Sequence, residues 1–288
     1  PFSYTVPSTQ MVAGTMQIQL TVTDNKQATA TDAVTVTITT PAPDTNSMTD
    51  PRDSKTYRTV KMGTQIWMAE NLAYQPQVNT IIEGSEVKEN EEKPFYYVYG
   101  YDGNDVAAAK ATKYYKDGVL YNWYAAIQGK GANAGNADLN PSGMQGICPE
   151  GWHLPSKDEW GQLYEWVGAN IEDSIKKDFE GNEIKAKNVS GALRATTGWD
   201  PYSDSDMPDL AKGGLDLFGF CVKTYGGRDT KGFGFSGLGT MANYWATDYK
   251  SNSYGAQGGY VRFTRIDYDI AGGFIDANRG QSVRCVKN

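Results

Sequence analysis

Near the start of the chain, apolar positions alternate with Gln and Thr: Ile18, Leu20 and Val22 form one run, Val34, Val36 and Ile38 another. A period of two belongs to strands with one buried face. Asp24-Asn25-Lys26-Gln27 between the runs supplies turn residues, so residues 17–24 and 33–39 predict a Thr-rich hairpin. Thr40-Pro41-Ala42-Pro43-Asp44-Thr45-Asn46-Ser47 has no such period. Its prolines lack donors and favour extended backbone, which reads as a linker and puts a domain boundary at residues 41–53.

Beyond the boundary the period lengthens. Leu120, Trp123, Tyr124 and Ile127 fall at i, i+3, i+4 and i+7, with Gly129 as a stop, and predict a helix. Ser156 with Glu159 makes a capping box before the stripe Trp160, Leu163, Tyr164 and Val167, which predicts a second helix. Both stripes read as core. After residue 195 helical spacing disappears, and Gly, Tyr, Asn and Asp separate short strand-like runs. Residues 76–117, with the acidic run Glu89-Asn90-Glu91-Glu92, read as an inserted or extended loop. The whole reads as an α+β domain over residues 54–288 with two helices and antiparallel sheets, preceded by all-β residues 1–40.

Composition narrows the function. The 288 residues are 39% hydrophobic, enough for a real core in one large domain or two. A formal charge of -7 and a pI near 4.9 argue against a phosphate-binding surface, so nucleic acid is not an expected partner. No apolar run approaches the roughly 20 residues of a bilayer crossing, and no basic-then-apolar segment stands at Pro1. Membrane insertion is not expected, and the chain reads as a mature, soluble piece of an exported protein.

Catalytic designs find little material. His153 is the only histidine, so triads and multi-histidine metal sites can draw on one position alone. Gly232-Phe233-Gly234-Phe235-Ser236-Gly237 matches the letters of a dinucleotide fingerprint, but Gly239-Thr240-Met241-Ala242-Asn243 beyond it has no helical period, so glycine turns are expected there. The 34 acidic residues leave a carboxylate-pair hydrolase open without singling out a pair. In the loop Trp199 to Asp209, the carboxylates of Asp200, Asp204, Asp206 and Asp209 recur at spacings that can wrap calcium, although the glycine and terminal Glu of an EF-hand loop are missing.

The strongest signal lies between Asn243 and Arg279. Tyr244, Tyr249, Tyr254, Tyr260 and Tyr268 alternate with Asn252, Asp267, Asp269, Asp276, Asn278, Arg279, serines and glycines. Tyrosine gives large amphipathic contact at low rotamer cost while small polar residues adapt, as in antibody-like binding loops. In Tyr260-Val261-Arg262-Phe263-Thr264, alternation predicts Tyr260, Arg262 and Thr264 outward and Val261 and Phe263 inward. An ordinary Gly-rich antiparallel sheet accounts for the same composition.

Several phrases carry a family resemblance. Ile147-Cys148-Pro149-Glu150-Gly151-Trp152-His153-Leu154-Pro155-Ser156-Lys157-Asp158-Glu159-Trp160 and Gln281-Ser282-Val283-Arg284-Cys285-Val286-Lys287 resemble the signature of the Fibrobacter succinogenes major paralogous domain, a group of bacterial surface and secreted proteins similar to C-type lectin-like folds. Tyr57 to Leu72, Gly118 to Ala126 and Asn243 to Asp248 resemble further blocks of it. The resemblance implies a C-type lectin-like domain and a Cys148–Cys285 disulfide, leaving Cys221, in an apolar stretch, as a buried thiol. The Thr-rich hairpin resembles the last strands of an immunoglobulin-like or PKD-like sandwich, the partial all-β module of a stalk.

Two related folds imply alternatives. Formylglycine-generating enzymes share the Leu-Pro-x-x-x-Glu-Trp phrase matched by Leu154 to Trp160, but they need a cysteine pair that a Cys148–Cys285 bond would leave unavailable. Variable proteins of diversity-generating retroelements share the fold, and their diversified C-terminal regions are similarly rich in Asn, Tyr, Asp and Ser. The expectation is therefore a non-enzymatic, extracellular, adhesin-like binder of a cell-surface protein or glycan, with its face on the residues from Tyr244 to Arg279 named above. A structural subunit of a surface filament or phage-like particle, and an enzyme, are the alternatives.

Overall fold

The computed structural model describes residues 14–23, 26–38, 46–84, 92–128, 144–177, 183–201, 213–230, 233–252, 255–266 and 269–288. The chain divides into two compact units, Pro1–Pro43 and Asp44–Asn288. In the first, β1 (Gly14–Thr23) and β2 (Thr29–Ile38) pair antiparallel. The register sets Met16 opposite Val36 and Ile18 opposite Val34, as the two-residue period requires. Asp24, Asn25 and most of the proline-rich stretch lie outside the described residues.

The second unit begins before the expected boundary ends. Within residues 41–53, β3 (Ser47–Thr49) pairs with β4 (Thr56–Met62). Asp50 is fully buried there, its carboxylate 2.6 Å from Arg52 Nη2. Thus residues 47–53 are built into the fold. A two-residue turn joins β4 to β5 (Gln65–Met68). Gly63 in that turn sits at φ +62, and a Cβ on it would stand 2.8 Å from Trp166 Cδ1, so backbone freedom and close packing both select glycine.

Next come β6 (Tyr96–Tyr97), α1 (Val106–Lys110), a 3-10 turn at Tyr115–Asp117, β7 (Leu120–Tyr121) and α2 (Trp123–Ile127). The expected helix over 120–127 is thus shortened. Asn122 Oδ1 accepts the Ala125 N–H at 2.9 Å and starts the helix at Trp123, while Leu120 and Tyr121 pair with β6. Leu120 is core because it belongs to a buried strand, so its helical spacing was coincidental. The segment expected as an inserted loop also contributes core: Val78, Phe95, Tyr96, Tyr97, Val98 and Ala109 are buried.

Then follow β8 (Trp152–His153), α3 (Lys157–Ala169), the hairpin β9 (Asp173–Lys177) and β10 (Glu183–Lys187), and α4 (Val189–Leu193). The last stretch holds β11 (Gly227–Arg228), β12 (Phe235–Ser236), β13 (Met241–Asn252), β14 (Gly255–Thr264), β15 (Ala271–Asp276) and β16 (Val286–Lys287). Gly234 and Phe235 lead into strand backbone, not into a helix. The architecture is mixed α+β, mostly β. No helix among the described residues is long and apolar enough to cross a membrane.

The main sheet has the order β3-β4-β5-β16-β8, so the last strand lies between an early and a middle one. One buried cluster gathers Tyr121, Trp123, Trp245 and the paired cysteines. A second gathers Trp67, Trp160, Tyr244 and Phe263, and a smaller third gathers Phe95, Tyr97, Leu120 and Tyr225. Cys148 and Cys285 are bonded, as the resemblance implied, with Cα atoms 5.9 Å apart. Cys221, expected as a buried thiol, is half-buried at φ +56, its N–H donating to Asp216 Oδ1 at 2.7 Å.

The disulfide bridges 137 residues of chain. In the chain-entropy account such a loop stabilises by up to about 5 kcal/mol. Replacing both cysteines by alanine is therefore expected to lower stability by roughly 2 to 5 kcal/mol in urea denaturation. An unchanged midpoint and slope would show that the bond constrains nothing.

Candidate functional site

The Tyr- and Gly-rich segment folds as a three-stranded antiparallel sheet of order β13-β14-β15. In β14 the predicted alternation holds: Val261 and Phe263 are buried, and Tyr260, Arg262 and Thr264 are partly exposed. Helix α3 lies against the Val261 and Phe263 side, with Trp160 6.2 Å from Phe263 between ring centroids.

Local chemistry positions α3. Ser156 Oγ accepts the Glu159 N–H, and Glu159 Oε2 accepts the Ser156 N–H at 2.9 Å, which completes the predicted capping box. The Lys157 N–H donates to Asp248 Oδ2 at 2.7 Å, and the Thr247 N–H donates to the Pro155 carbonyl at 3.0 Å. Both bonds tie the helix start to β13.

Between helix and sheet runs a groove of about 500 Å³, within the range of ligand pockets. Lys157, Trp160, Gly161 and Tyr164 line one wall, and Val261, Asp269, Ile270, Ala271 and Gly272 the other. Lys157 and Tyr164 are seven residues apart, about 10 Å along a helix axis. The cationic end therefore lies two turns from the phenol. Lys157 Nζ stands 4.7 Å from the centre of the Phe274 ring, and Lys250 Nζ stands at the same distance. At the other end the Tyr164 hydroxyl donates to Asp269 Oδ1 at 2.8 Å. Burial and the Asp269 carboxylate push the Tyr164 phenol up to about 12, so it remains a donor at neutral pH.

The sequence-predicted binding residues divide. Tyr260, Arg262 and Thr264 share β14 but lie on its face away from the groove, Tyr260 packing against the first buried cluster, whereas Asp269 lies on the groove rim. Asp276 is the last residue of β15 and Asn278 and Arg279 follow it, about 20 Å along the strand from Asp269. There Asp276 Oδ1 accepts the Asn278 N–H at 2.9 Å, and Arg279 Nη2 pairs with Asp229 Oδ1 at 3.0 Å. Tyr249 is half-buried and stacks on Trp123 with centroids 5.0 Å apart. Tyr244 is a correction. It is fully buried, its hydroxyl donating to Asn71 Oδ1 at 3.0 Å, because core covers its face of the sheet.

Asn252 closes the β13–β14 pairing opposite Gly255, but its side chain lies outside the described residues, as do Tyr254, Asp267 and Tyr268. Of the proposed calcium ligands, Asp204, Asp206 and Asp209 lie outside them too. Asp200 is exposed, its N–H donating to the Gly239 carbonyl at 2.8 Å. No cluster of three or more His, Cys, Asp or Glu able to hold a metal occurs among the described residues.

Sequence reasoning missed the helical wall, having assigned Trp160 and Tyr164 to core alone. The usable signal was Gly161, because glycine inside an amphipathic helix costs about 0.5 to 1 kcal/mol relative to alanine. No heavy atom stands within 4 Å of a Cβ added there. Packing therefore does not require the glycine.

The span from β4 to β16 that carries both cysteines, α3 and the groove is the span matched by a known family, the Fibrobacter succinogenes major domain, over residues 60–287. The chain belongs to that family. No curated protein and no solved structure matches the chain. Both groove walls of this Fibrobacter succinogenes major domain thus fall inside the matched residues.

The one imidazole of the family domain is committed to the base of α3. His153 Nε2 lies 2.7 Å from Glu159 Oε1, and Nδ1 lies 2.7 Å from Asn288 Oδ1. Burial opposes a charged ring, but the hydrogen bonds with Glu159 and Asn288 and the Glu159 charge outweigh it, so the pKa is raised above the ordinary 6.5. A raised value in the folded state contributes stability that is fully present below the unfolded pKa and is lost as pH rises through the folded one. Urea stability is expected to decline from about pH 6.5 upward, with that slope flattened by His153→Gln. An identical slope in the variant would assign the decline to another group.

Proposed function

We propose that this chain is an extracellular recognition protein, adhesin-like in use, whose C-type lectin-like domain offers the face formed by α3, β14 and β15 to a cell-surface protein or glycan. The observation that carries the reading is the groove of about 500 Å³ between α3 and the sheet, rimmed by Lys157, Tyr164 and Asp269. It is open, with Trp160, Val261 and Ile270 at its base and opposite charges at its border, a composition suited to holding a ligand. The N-terminal hairpin is read as the end of an immunoglobulin-like or PKD-like stalk.

Binding is favoured over catalysis by what the reactive groups already do. His153 is held between Glu159 and Asn288. Two of the three thiols are joined to each other, which leaves Cys221 without the partner that a formylglycine-type oxidation needs. The presence of the first and last strands of the second unit in one sheet, together with the antiparallel hairpins, supports the C-type lectin-like assignment.

The test is an array of cell-surface proteins and glycans probed with the full chain, with and without calcium. Asp269→Ala and Lys157→Ala are each expected to weaken the selected interaction about tenfold or more, about 1.4 kcal/mol, with unchanged melting temperature. If both variants bind the selected target as tightly as the parent chain, the groove is not the site. Turnover of an array ligand would replace the reading with an enzymatic one.

A further inference from the structure

We propose that the open edge of β15 receives an extended segment of a partner protein as an added strand, and that one side chain of that segment enters the groove between α3 and Gly272. The proposal rests on the recognition reading above and names the class of its partner.

The two edges of the three-stranded sheet are treated differently. At β13 the outer side is covered: the Trp245 N–H donates to the Ser282 carbonyl, the Ser282 N–H to the Asn243 carbonyl, and the Thr247 N–H to the Pro155 carbonyl, each at 3.0 Å. At β15 the inner side pairs with β14 in continuous register from Ala271 to Asp276. Among the described residues no strand pairs with its outer side. Alternate residues of such a strand turn both N–H and C=O away from the neighbour, and an unpaired row of this kind is a template for another strand. Proteins blunt exposed edges with charge, proline or bulges. Ala271-Gly272-Gly273-Phe274-Ile275 contains none of these, and the one charge of the strand, Asp276, stands at its far end.

The groove supplies what an added strand needs beyond its backbone. Residues directly opposite across a sheet share a face, so Gly272 and its β14 partner Val261 both look toward α3. A residue placed opposite Gly272 on the incoming strand points the same way. Gly272 has no side chain to block it, and the space over Gly161 is open from the helix side. Trp160, Val261 and Ile270 make the base apolar, which suits an aromatic or long aliphatic side chain. Asp269 on the rim suits a basic neighbour in the same segment. Main-chain pairing supplies affinity and alternate side-chain pockets supply selectivity in this mode. A pair of β15 strands from two copies, centred on Gly272 and Gly273, would bring only glycine to the groove and leave it unfilled.

The experiment is selection of a displayed library of seven-residue peptides on the full chain, followed by binding and hydrogen-exchange measurements with the enriched peptides. Enriched sequences should place an apolar residue amid an extended, alternating pattern, and their binding should slow exchange of amides in Gly272–Ile275. Gly161→Leu fills the groove from the helix at a site with free space, and Gly272→Val fills it from the strand. Each is expected to weaken peptide binding at least tenfold; Gly161→Leu retains the melting temperature, whereas a Cβ on Gly272 would stand 3.1 Å from the Tyr260 carbonyl oxygen, so Gly272→Val is read beside its own melting temperature. No enrichment, or binding that leaves β15 exchange and both variants unaffected, overturns the proposal. Concentration-dependent dimers with β15 protected in the absence of peptide also overturn it, because the occupant is then a second copy. Glycan binding lost in Gly161→Leu without any peptide selection would keep the recognition reading and remove this one.

Discussion

Three consecutive residues near the C-terminal end hold the second unit together. Arg284 sends its guanidinium into the interior, where Nη2 donates to Asn71 Oδ1 at 2.9 Å and Nη1 to the Phe220 carbonyl. Cys285 bonds to Cys148, and Val286 pairs with Trp67 on one side and His153 on the other. Each residue ties the tail to a different part of the chain. The main sheet is continuous through this closure, because β16 supplies the strand between β5 and β8, and the two larger buried clusters each include one of these residues, Cys285 and Val286.

Much of the remaining unit is irregular backbone, and buried arginines brace it. Arg194, Arg228 and Arg284 are among the largest fully buried side chains. Arg194 Nη1 donates to the Thr264 carbonyl, Arg228 to the Asn278 and Ile81 carbonyls, and Arg284 to those of Phe220 and Cys221. Each also lies over an aromatic ring, at 5.1 Å from Trp199, 4.7 Å from Tyr97 and 4.5 Å from Phe220. Guanidinium is weakly hydrated and planar, with several fixed donors. It can therefore satisfy carbonyls that no ladder reaches, while ring faces offset part of its desolvation. Loops without helical or strand hydrogen bonds become fixed by this route.

Some of this was legible beforehand and some was not, for identifiable reasons. Helix α3 was readable because its start is written locally, in Ser156 and Glu159. The alternation in β14 was readable because Val261 and Phe263 face a core. Tyr244 was misplaced because alternation sorts side chains into two faces without saying which face is covered, and here core lies against both. Leu120 was misassigned because the cap at Asn122 outranked a spacing that suited a helix. The Cys148–Cys285 bond came from family resemblance, since three cysteines allow three pairings. The groove was invisible because its walls are about one hundred positions apart in sequence, and glycine leaves no periodic mark.

The disulfide has a mechanical consequence. Residues 157–164 and 261–272, which form the two groove walls, both fall inside the loop that Cys148 and Cys285 close. A pull along the polypeptide from β3 to Asn288 passes through the sulfur bridge and bypasses everything between the two cysteines. Tension can peel away only the strands outside the loop. Whatever is seated beside α3 is thus shielded from load carried along the backbone.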